Sequence, residues 1–314
     1  MKKNTTPGND HVPVLLQPVL QGLNIRLHGC YVDGTFGRGG HSSAILERLG
    51  ADGTLLAIDR DPAAVAAVDS RLADDPRFDI IKGEIGELRT YARDRNLLGK
   101  VDGLLLDLGV SSPQLDEADR GFSFRADGPL DMRMDPTTGA SAADWLATVD
   151  EKSLKYVLAN FGEERQAGRI SRAIVAARAS RPITRTGQLA ELIASLLPRR
   201  GQRKHPATKS FQAMRIFIND ELGQLRDALS MSVDLLRPGG RLCVISFHSL
   251  EDRLVKRFMR DASMEAEPYR GLPDVPAEFR PPLRRIGKAI GASDAEIAAN
   301  VRARSAHLRI AERL

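Results

Sequence analysis

With 314 residues, 42% of them hydrophobic and 28% charged, the chain is long enough to bury one large core and a second, smaller one. No run of about 18 apolar residues is present, and the two lysines of MKKNTTPGNDHVP lack the apolar segment of a secretory signal, so a cytoplasmic protein with no membrane span is expected. The net charge of +5 suits a nucleic-acid partner only where the charge clusters, while two unpaired-looking cysteines, Cys30 and Cys243, and six histidines without ligand spacing argue against a disulfide framework or a bound metal.

Residues 1 to 10 are polar, with Pro7 and Gly8, and are expected to be disordered. The segment HVPVLLQPVLQGLN from His11 predicts a helix over one end of a sheet. Tyr31 and Val32 then end a buried strand that runs into Asp33 and four glycines, Gly34, Gly37, Gly39 and Gly40, before a helix from about Ser42 to Leu49. In an open α/β sheet ligands bind beyond the carboxyl ends of the strands, which makes this turn a candidate cofactor cradle. A second strand, GTLLAIDR from Gly53 to Arg60, carries Asp59 roughly 20 residues beyond the glycines, placed to take both hydroxyls of a ribose. The alternative for Asp59 is a helix cap, and Asp61 with Pro62 fills that part better. A dinucleotide turn requires G-x-G-x-x-G, yet the frame from Gly37 puts Ser42 at its third position. Asp33 inside the loop would repel a pyrophosphate and suit the cationic amino-acid end of S-adenosylmethionine (SAM), so SAM is preferred to NAD.

Farther along, a helix is predicted over Ala63 to Leu72, a third strand over Phe78 to Gly83, and another helix from about Ile85 to Arg95. Ile85 falls where an apolar wall for an adenine would lie. The fourth strand, VDGLLLDL from Val101 to Leu108, ends in Asp107 and enters a polar loop containing Ser111, Ser112 and Gln114. Three strands therefore end in an acid at one sheet edge. A fifth strand, Arg241 to Phe247 after the turn Pro238-Gly239-Gly240, arrives much later than the roughly 30 residues of a βαβ unit allow. One long helix from Ser210 to Leu236 precedes it, so residues 113–208 are read as an inserted all-helical domain within a methyl-transfer domain formed by 11–112 and 209–314.

The insert opens with the aperiodic RGFSFRADGPLDMRMD and continues as helices over Ala142 to Leu146, Glu151 to Phe161, Glu163 to Ser180 and Gln188 to Leu197. Its basic group Arg199, Arg200, Arg203 and Lys204 makes it a candidate substrate grip for RNA; a dimerisation element, and hence a homodimer, is the alternative. A second basic group, Arg284, Arg285, Arg302 and Arg304, lies near the C-terminus. After strand five, an amphipathic helix from Ser249 to Asp261 is predicted with Ser249 as its cap and Asp252 at the fourth position. Two strands, Leu283 to Ile290 and Ala306 to Leu314, close the chain as a hairpin at the sheet edge.

These strings resemble one family, the bacterial small-subunit ribosomal RNA cytosine-N4 methyltransferases, called RsmH or MraW. The resemblance is carried by DGTFGRGGHS at 33–42, AIDRDP at 57–62, LLLDLGVSSPQLD at 104–116 and RGFSFRADGPLDMRMD at 120–135. It continues through FQAMRIFINDEL at 211–222, LRPGGRLCVISFHSLEDR at 236–253 and RARSAHLRIAE at 302–312. It implies a class I SAM-methyltransferase Rossmann-like sheet and methylation of a cytidine amine in the decoding centre, on the small-subunit ribosomal RNA or the subunit itself. The SAM contacts it implies are Gly39, Gly40, His41, Asp59, Asp107 and Gln114, with Asp33 and Gly37 in the same turn. Ile85 stands where the family usually has an aromatic residue, and Val301 where a proline is common.

A cytosine amine is a poor nucleophile, because its lone pair is delocalised into the ring; an enzyme must orient it and accept its hydrogens. Asp107, a loop serine such as Ser111, or His248 beyond strand five are the candidate acceptors, and Phe122, Phe124 or Phe247 the candidates to stack on an extruded base. Competing readings are a DNA amino-methyltransferase, a non-catalytic RNA-binding assembly factor that retains SAM, and, more remotely, an NAD oxidoreductase.

Overall fold

Apolar runs such as LLAI at 55–58 and LLL at 104–106 have no polar face to offer water, so they form strands covered on both sides. The computed structural model describes residues 13–197, 205–265, 267–269, 271 and 275–314. The expected disordered residues 1–10 and the basic group Arg199, Arg200, Arg203 and Lys204 lie outside the described residues.

In chain order, α1 (Leu16–Leu23) leads to β1 (Cys30–Asp33), α2 (Gly40–Leu46) and β2 (Thr54–Asp59). Then come α3 (Pro62–Ala66), α4 (Ser70–Ala73), β3 (Phe78–Lys82), α5 (Leu88–Asp94) and β4 (Val101–Asp107). Six helices follow: α6 (Ser112–Asp116), α7 (Ala142–Thr148), α8 (Glu151–Gly162), α9 (Ala167–Ser180), α10 (Thr186–Leu196) and α11 (Thr208–Ile218). The chain finishes with α12 (Glu221–Leu235), β5 (Leu236–Ser246), α13 (Ser249–Asp261), β6 (Leu283–Gly291), α14 (Asp294–Ala299) and β7 (His307–Arg313).

Two compact units result, one of the described residues through Gly109 with Leu225–Leu314, the other Val110–Gln224. The first holds a seven-stranded sheet in the order β3-β2-β1-β4-β5-β7-β6, parallel from β3 to β5, with β7 antiparallel to both its neighbours. This is the class I methyltransferase sheet that the resemblance implies. Strand order reverses between β1 and β4, and the crevice at such a reversal is where doubly wound sheets hold ligands.

Strand alternation divides the core in two. Leu55, Ala57, Leu105, Cys243 and Ile245 face one layer with Val19, Leu23 and Ile45. Leu56, Ile58, Leu104, Leu106, Leu242 and Val244 face the other with Leu88, Leu229 and Val255. In the second unit α11 packs along α8, and its core draws Leu154, Val157 and Leu158 from α8, Ile170 and Ile174 from α9, and Phe211 and Met214 from α11.

Four local expectations change. The helix over Ala63 to Leu72 is broken into α3 and α4, because Asp69 caps a new start by accepting from Arg71 N. The long helix from Ser210 is two helices, α11 and α12, separated at Asn219 and Asp220, the latter at φ 46°. Strand five begins at Leu236, and Pro238-Gly239-Gly240 is a bulge within it, where the register steps from Val101↔Leu236 to Gly103↔Arg241. The cap of α13 is His248 in a reciprocal box with Glu251, because the preceding turn exposes its backbone N–H to that carboxylate; Asp252 instead pairs with Arg309 of β7.

Leu105 is fully buried beside the reversal point. Leu105→Ala is expected to cost about 2–5 kcal/mol, read as a lower denaturant midpoint with an unchanged slope.

Candidate active site

At the end of β1, Asp33 is 1% exposed and held by its own loop. Its Oδ2 accepts from Ser42 Oγ at 2.7 Å, and its Oδ1 accepts from Thr35 N at 3.1 Å. These bonds make Asp33 a brace of the turn, and each of its oxygens keeps a second lone pair. Thr35, a member of the 33–42 string to which sequence alone assigns no separate role, ties the turn to β4 by accepting from Asp107 N at 2.7 Å through its hydroxyl. Backbone bonds from Gly34 N to Leu105 O and from Phe36 N to Ile58 O, both 2.9 Å, stitch the same turn to β4 and β2.

The glycines serve two needs. Gly39 is at φ 73°, and a Cβ there would lie 2.7 Å from the Phe36 ring; on Gly40 it would meet Pro13 at 2.4 Å. Gly37, at φ 55°, has open space where a side chain would project, with only Thr35 O at 3.9 Å. Ile85 approaches the same turn at Gly34, its Cγ2 lying 3.4 Å from the Cβ position there. Among the described residues, Gly37, Gly39, Gly40, Asp59 and Ile85 thus gather around one turn.

Asp59 closes that turn from the β2 side. Its Oδ2 accepts from Gly37 N at 2.7 Å and its Oδ1 from Asp61 N at 2.8 Å. Each oxygen keeps a second lone pair, so the carboxylate is both a brace and an acceptor for two hydroxyls. Burial pushes its carboxyl up to about 6, the charges of Asp61 and Asp33 add to this, and the two N–H donors oppose it. Asp61 takes the capping part anticipated for it, accepting from Ala63 N at 3.0 Å. Arg60 and Glu84, at the ends of β2 and β3, form an ion pair at 2.7 Å that no sequence pattern connects.

Asp107 stands at the end of β4. Its Oδ2 is 3.5 Å from His41 Nδ1, and the other ring nitrogen, Nε2, is 3.1 Å from the carbonyl of Val14. A carbonyl only accepts, so Nε2 carries the proton and Nδ1 turns its lone pair to Asp107. Burial keeps His41 neutral by pushing its pKa down, against the charge of Asp33. Burial first, then Asp33 and Glu251, push the Asp107 carboxyl well above the usual carboxylate range. Its Oδ1 is cut off from water and has no hydrogen-bond partner among the described residues.

His248 is a half-buried cap whose Nε2 lies 3.1 Å from Glu251 Oε1. Glu251, 2% exposed, also accepts from Phe247 N at 2.9 Å. Ser111, Gln114 and Phe124 belong to the second unit. Ser111 caps α6, and the buried Gln114 accepts from Ser111 N at 3.0 Å in a reciprocal box. Phe124 packs its ring edge-on to Phe211 at 4.8 Å and against His205 at 4.6 Å, so part of its surface is already covered. Phe122 is buried in the core of the same unit.

Residues 8–314 match the sequence model of the MraW methylase family. Among solved structures, a Clostridium thermocellum protein described as an rRNA methylase is similar at 12% identity and a TM-score of 0.45, over 96% of this chain and 99% of that one. An rRNA methylase from Streptococcus thermophilus is similar at 12% identity and a TM-score of 0.41, over 95% and 93%. A Streptococcus mutans methyltransferase in complex with SAH is similar at 11% and 0.42, over 96% and 99%.

SAM is the cofactor of that family, and the site fits it on three counts. The turn leaves an opening at Gly37, Asp59 offers two lone pairs to vicinal hydroxyls, and the Asp107 carboxylate, whose Oδ1 is shielded from water, has among the described residues no hydrogen bond at that atom and could take a sulfonium or ammonium beside it. A raised carboxyl means that the folded protein binds more protons than the unfolded chain between pH 3.8 and about 6, so stability from Asp59 is present below that window and lost as pH rises through it. Hydroxyl donors favour the ionised form. The dissociation constant for SAM, measured by calorimetry, is therefore expected to fall by up to about tenfold from pH 5 to pH 7. Asp59→Asn should weaken binding and flatten that dependence.

Proposed function

The chain belongs to the MraW methylase family, whose activity is SAM-dependent methylation of ribosomal RNA, and on that premise we propose that it methylates the exocyclic N4 amine of a cytidine in the decoding centre of the small-subunit RNA. The observation that carries this reading is Asp107 Oδ1, a buried carboxylate oxygen with no donor among the described residues, at the strand end beside the glycine turn. An amine acceptor brings N–H donors and must lose a proton, and an unpartnered carboxylate oxygen is suited to take both.

When bound, SAM supplies an electrophilic methyl group on a positively charged sulfur. The chain's own part is to hold the amine in line and to take its hydrogen. Burial and the neighbouring carboxylates of Asp33 and Glu251 favour protonated Asp107, whereas a cation in the crevice favours the ionised form that accepts. Thr35 fixes the backbone of Asp107, and His41, locked by Val14, keeps its lone pair toward Oδ2. A proton taken at Oδ1 thus reaches a carboxyl that already stands well above the usual range, which makes it a competent acceptor of the amine hydrogen.

In this reading Asp107 is the catalytic residue, and Gly37, Gly39, Gly40, His41, Asp59, Ile85 and Gln114 are assigned to the cofactor. Ser111 is assigned to capping α6; His248 caps α13 through Nδ1, while its buried Nε2, 3.1 Å from Glu251 Oε1, makes no hydrogen bond among the described residues, so His248 is kept as the alternative acceptor. The helical unit, with Phe124 and the basic group at 199–204, is assigned to grasping RNA. Cytoplasmic action on free RNA or on the subunit follows from the substrate.

Labelled SAM presented with small ribosomal subunits, extracted RNA or duplex DNA is expected to yield N4-methylcytidine only from the small-subunit RNA, by nucleoside analysis. For Asp107→Asn, turnover should fall by about 10²–10⁴-fold, a larger loss than that in SAM affinity measured separately. Retention of both near the wild-type level would remove Asp107 from the site.

A further inference from the structure

We infer that the outer edge of β6 is a docking strip for the phosphate backbone of the RNA acceptor, a partner that rests on the function proposed above. β6 is the last strand of the sheet, and its sequence, LRRIGKAIG, carries three cations and no acid. Edge strands often hold a lysine or a bulge that discourages pairing with another strand. That need is met by one charge, and it does not account for a cavity.

A cleft of about 520 Å³ opens here, lined among others by Ser263, Pro281, Arg284, Arg285, Gly287 and Lys288. Glu312 of β7 is shared by Arg284 and by Arg241, the latter at 2.7 Å, so one carboxylate faces two guanidinium groups. Arg285 and Lys288 are exposed and have no carboxylate partner among the described residues. The edge therefore carries positive charge that no carboxylate among the described residues compensates.

The backbone shapes this charge into a strip. Pairing with β7 steps from Ile286↔Ile310 to Ile290↔Leu308, so three residues of β6 oppose one of β7. The extra residues form a bulge in β6, with the exposed Lys288 among them. Gly287 sits there at φ 65°, with nothing within 4 Å of its Cβ position. The cleft wall also contains Ser263 Oγ, a buried hydroxyl with no partner among the described residues, which a nearby phosphate oxygen would satisfy.

Guanidinium groups bind phosphate through paired N–H donors, and an ammonium binds it as a point charge. Cations strung along an extended strand, not converging on a point, suit a polyanion better than a single small anion. A second copy of the chain is disfavoured as the occupant, because edge-to-edge pairing would bring like charges together.

The test uses the full chain and the charge-reversed double variant Arg285→Glu/Lys288→Glu, neither residue being part of the catalytic machinery. Binding to small-subunit ribosomal RNA is measured across a salt series, with melting temperature and SAM affinity as folding controls. The variant is expected to lose about tenfold or more in RNA affinity, with the slope of log K against log salt reduced by roughly 0.7 for each phosphate no longer neutralised. The milder Arg285→Gln/Lys288→Gln should fall between. If the wild type methylates RNA while the double variant keeps the wild-type slope, the strip is overturned and the functional reading stands. If the wild type neither binds nor methylates RNA, both fall. A change in self-association by sedimentation with no change in salt slope would assign this edge to another copy of the chain, which also overturns the proposal.

Discussion

Three carboxylates, Asp33, Asp59 and Asp107, end three adjacent parallel strands, and the arrangement around them rests on how their charges are met. Burying like charges together is costly unless donors satisfy them. Two of the three are satisfied by the glycine turn and its neighbours: Thr35 and Ser42 donate to Asp33, and Gly37 and Asp61 donate to Asp59. The turn is therefore a consequence of the acids as much as a cradle for a ligand. Asp107 is the exception, with Oδ1 unpartnered and Oδ2 facing a neutral imidazole. A ligand that carries positive charge and hydroxyl donors relieves the electrostatic cost that remains, and a pyrophosphate would increase it.

This division also separates roles that sequence alone runs together. Spacing places an acid in the glycine turn without giving its hydrogen-bond partners. Asp33 is 1% exposed, and its influence passes through Thr35 and Ser42 to the residues that face the crevice. Thr35 in turn links Asp33 to the backbone of Asp107, so a hydroxyl inside the glycine turn couples two of the three strand ends.

The strands were the most legible part of the chain, because runs buried on both faces contain so little polar character that periodicity and length leave few alternatives. β2 and β4 fall within a residue or two of the apolar runs that predict them, and the strand-end acids follow directly. Helix breaks were harder to see. Asp69 and Asp220 lie within patterns that keep helical spacing across them, and only local cap geometry and a left-handed backbone angle divide the helices. The cap of α13 shows the same limit: both Ser249 with Asp252 and His248 with Glu251 satisfy a capping pattern, and Asp252 is drawn away by Arg309, fifty-seven positions along the chain. Tertiary ion pairs of this kind leave no local signal. Nor does the contact between His41 and Val14, which fixes the tautomer that Asp107 meets.

Charge in the sheet-bearing unit is sorted by place. Acids collect where the strands end, and cations collect along the outer edge of β6. For an enzyme that acts on one base of a polyanion, this sorting has a physical consequence. In the proposed reading a phosphate entering the crevice would be repelled by Asp59 and Asp107, whereas a base has no charge to be repelled and brings an amine that Asp107 accepts. In the proposed reading the backbone is thus excluded from the reaction centre by the same acids that hold the turn, and it is held at a distance by cations on another part of the sheet. Extruding a base costs a few kcal/mol of stacking and pairing, least where the nucleotide is already unpaired. A site that repels phosphate while attracting a neutral amine lets that cost be met only by a nucleotide whose base leads, which is a selection on RNA conformation before any selection on sequence.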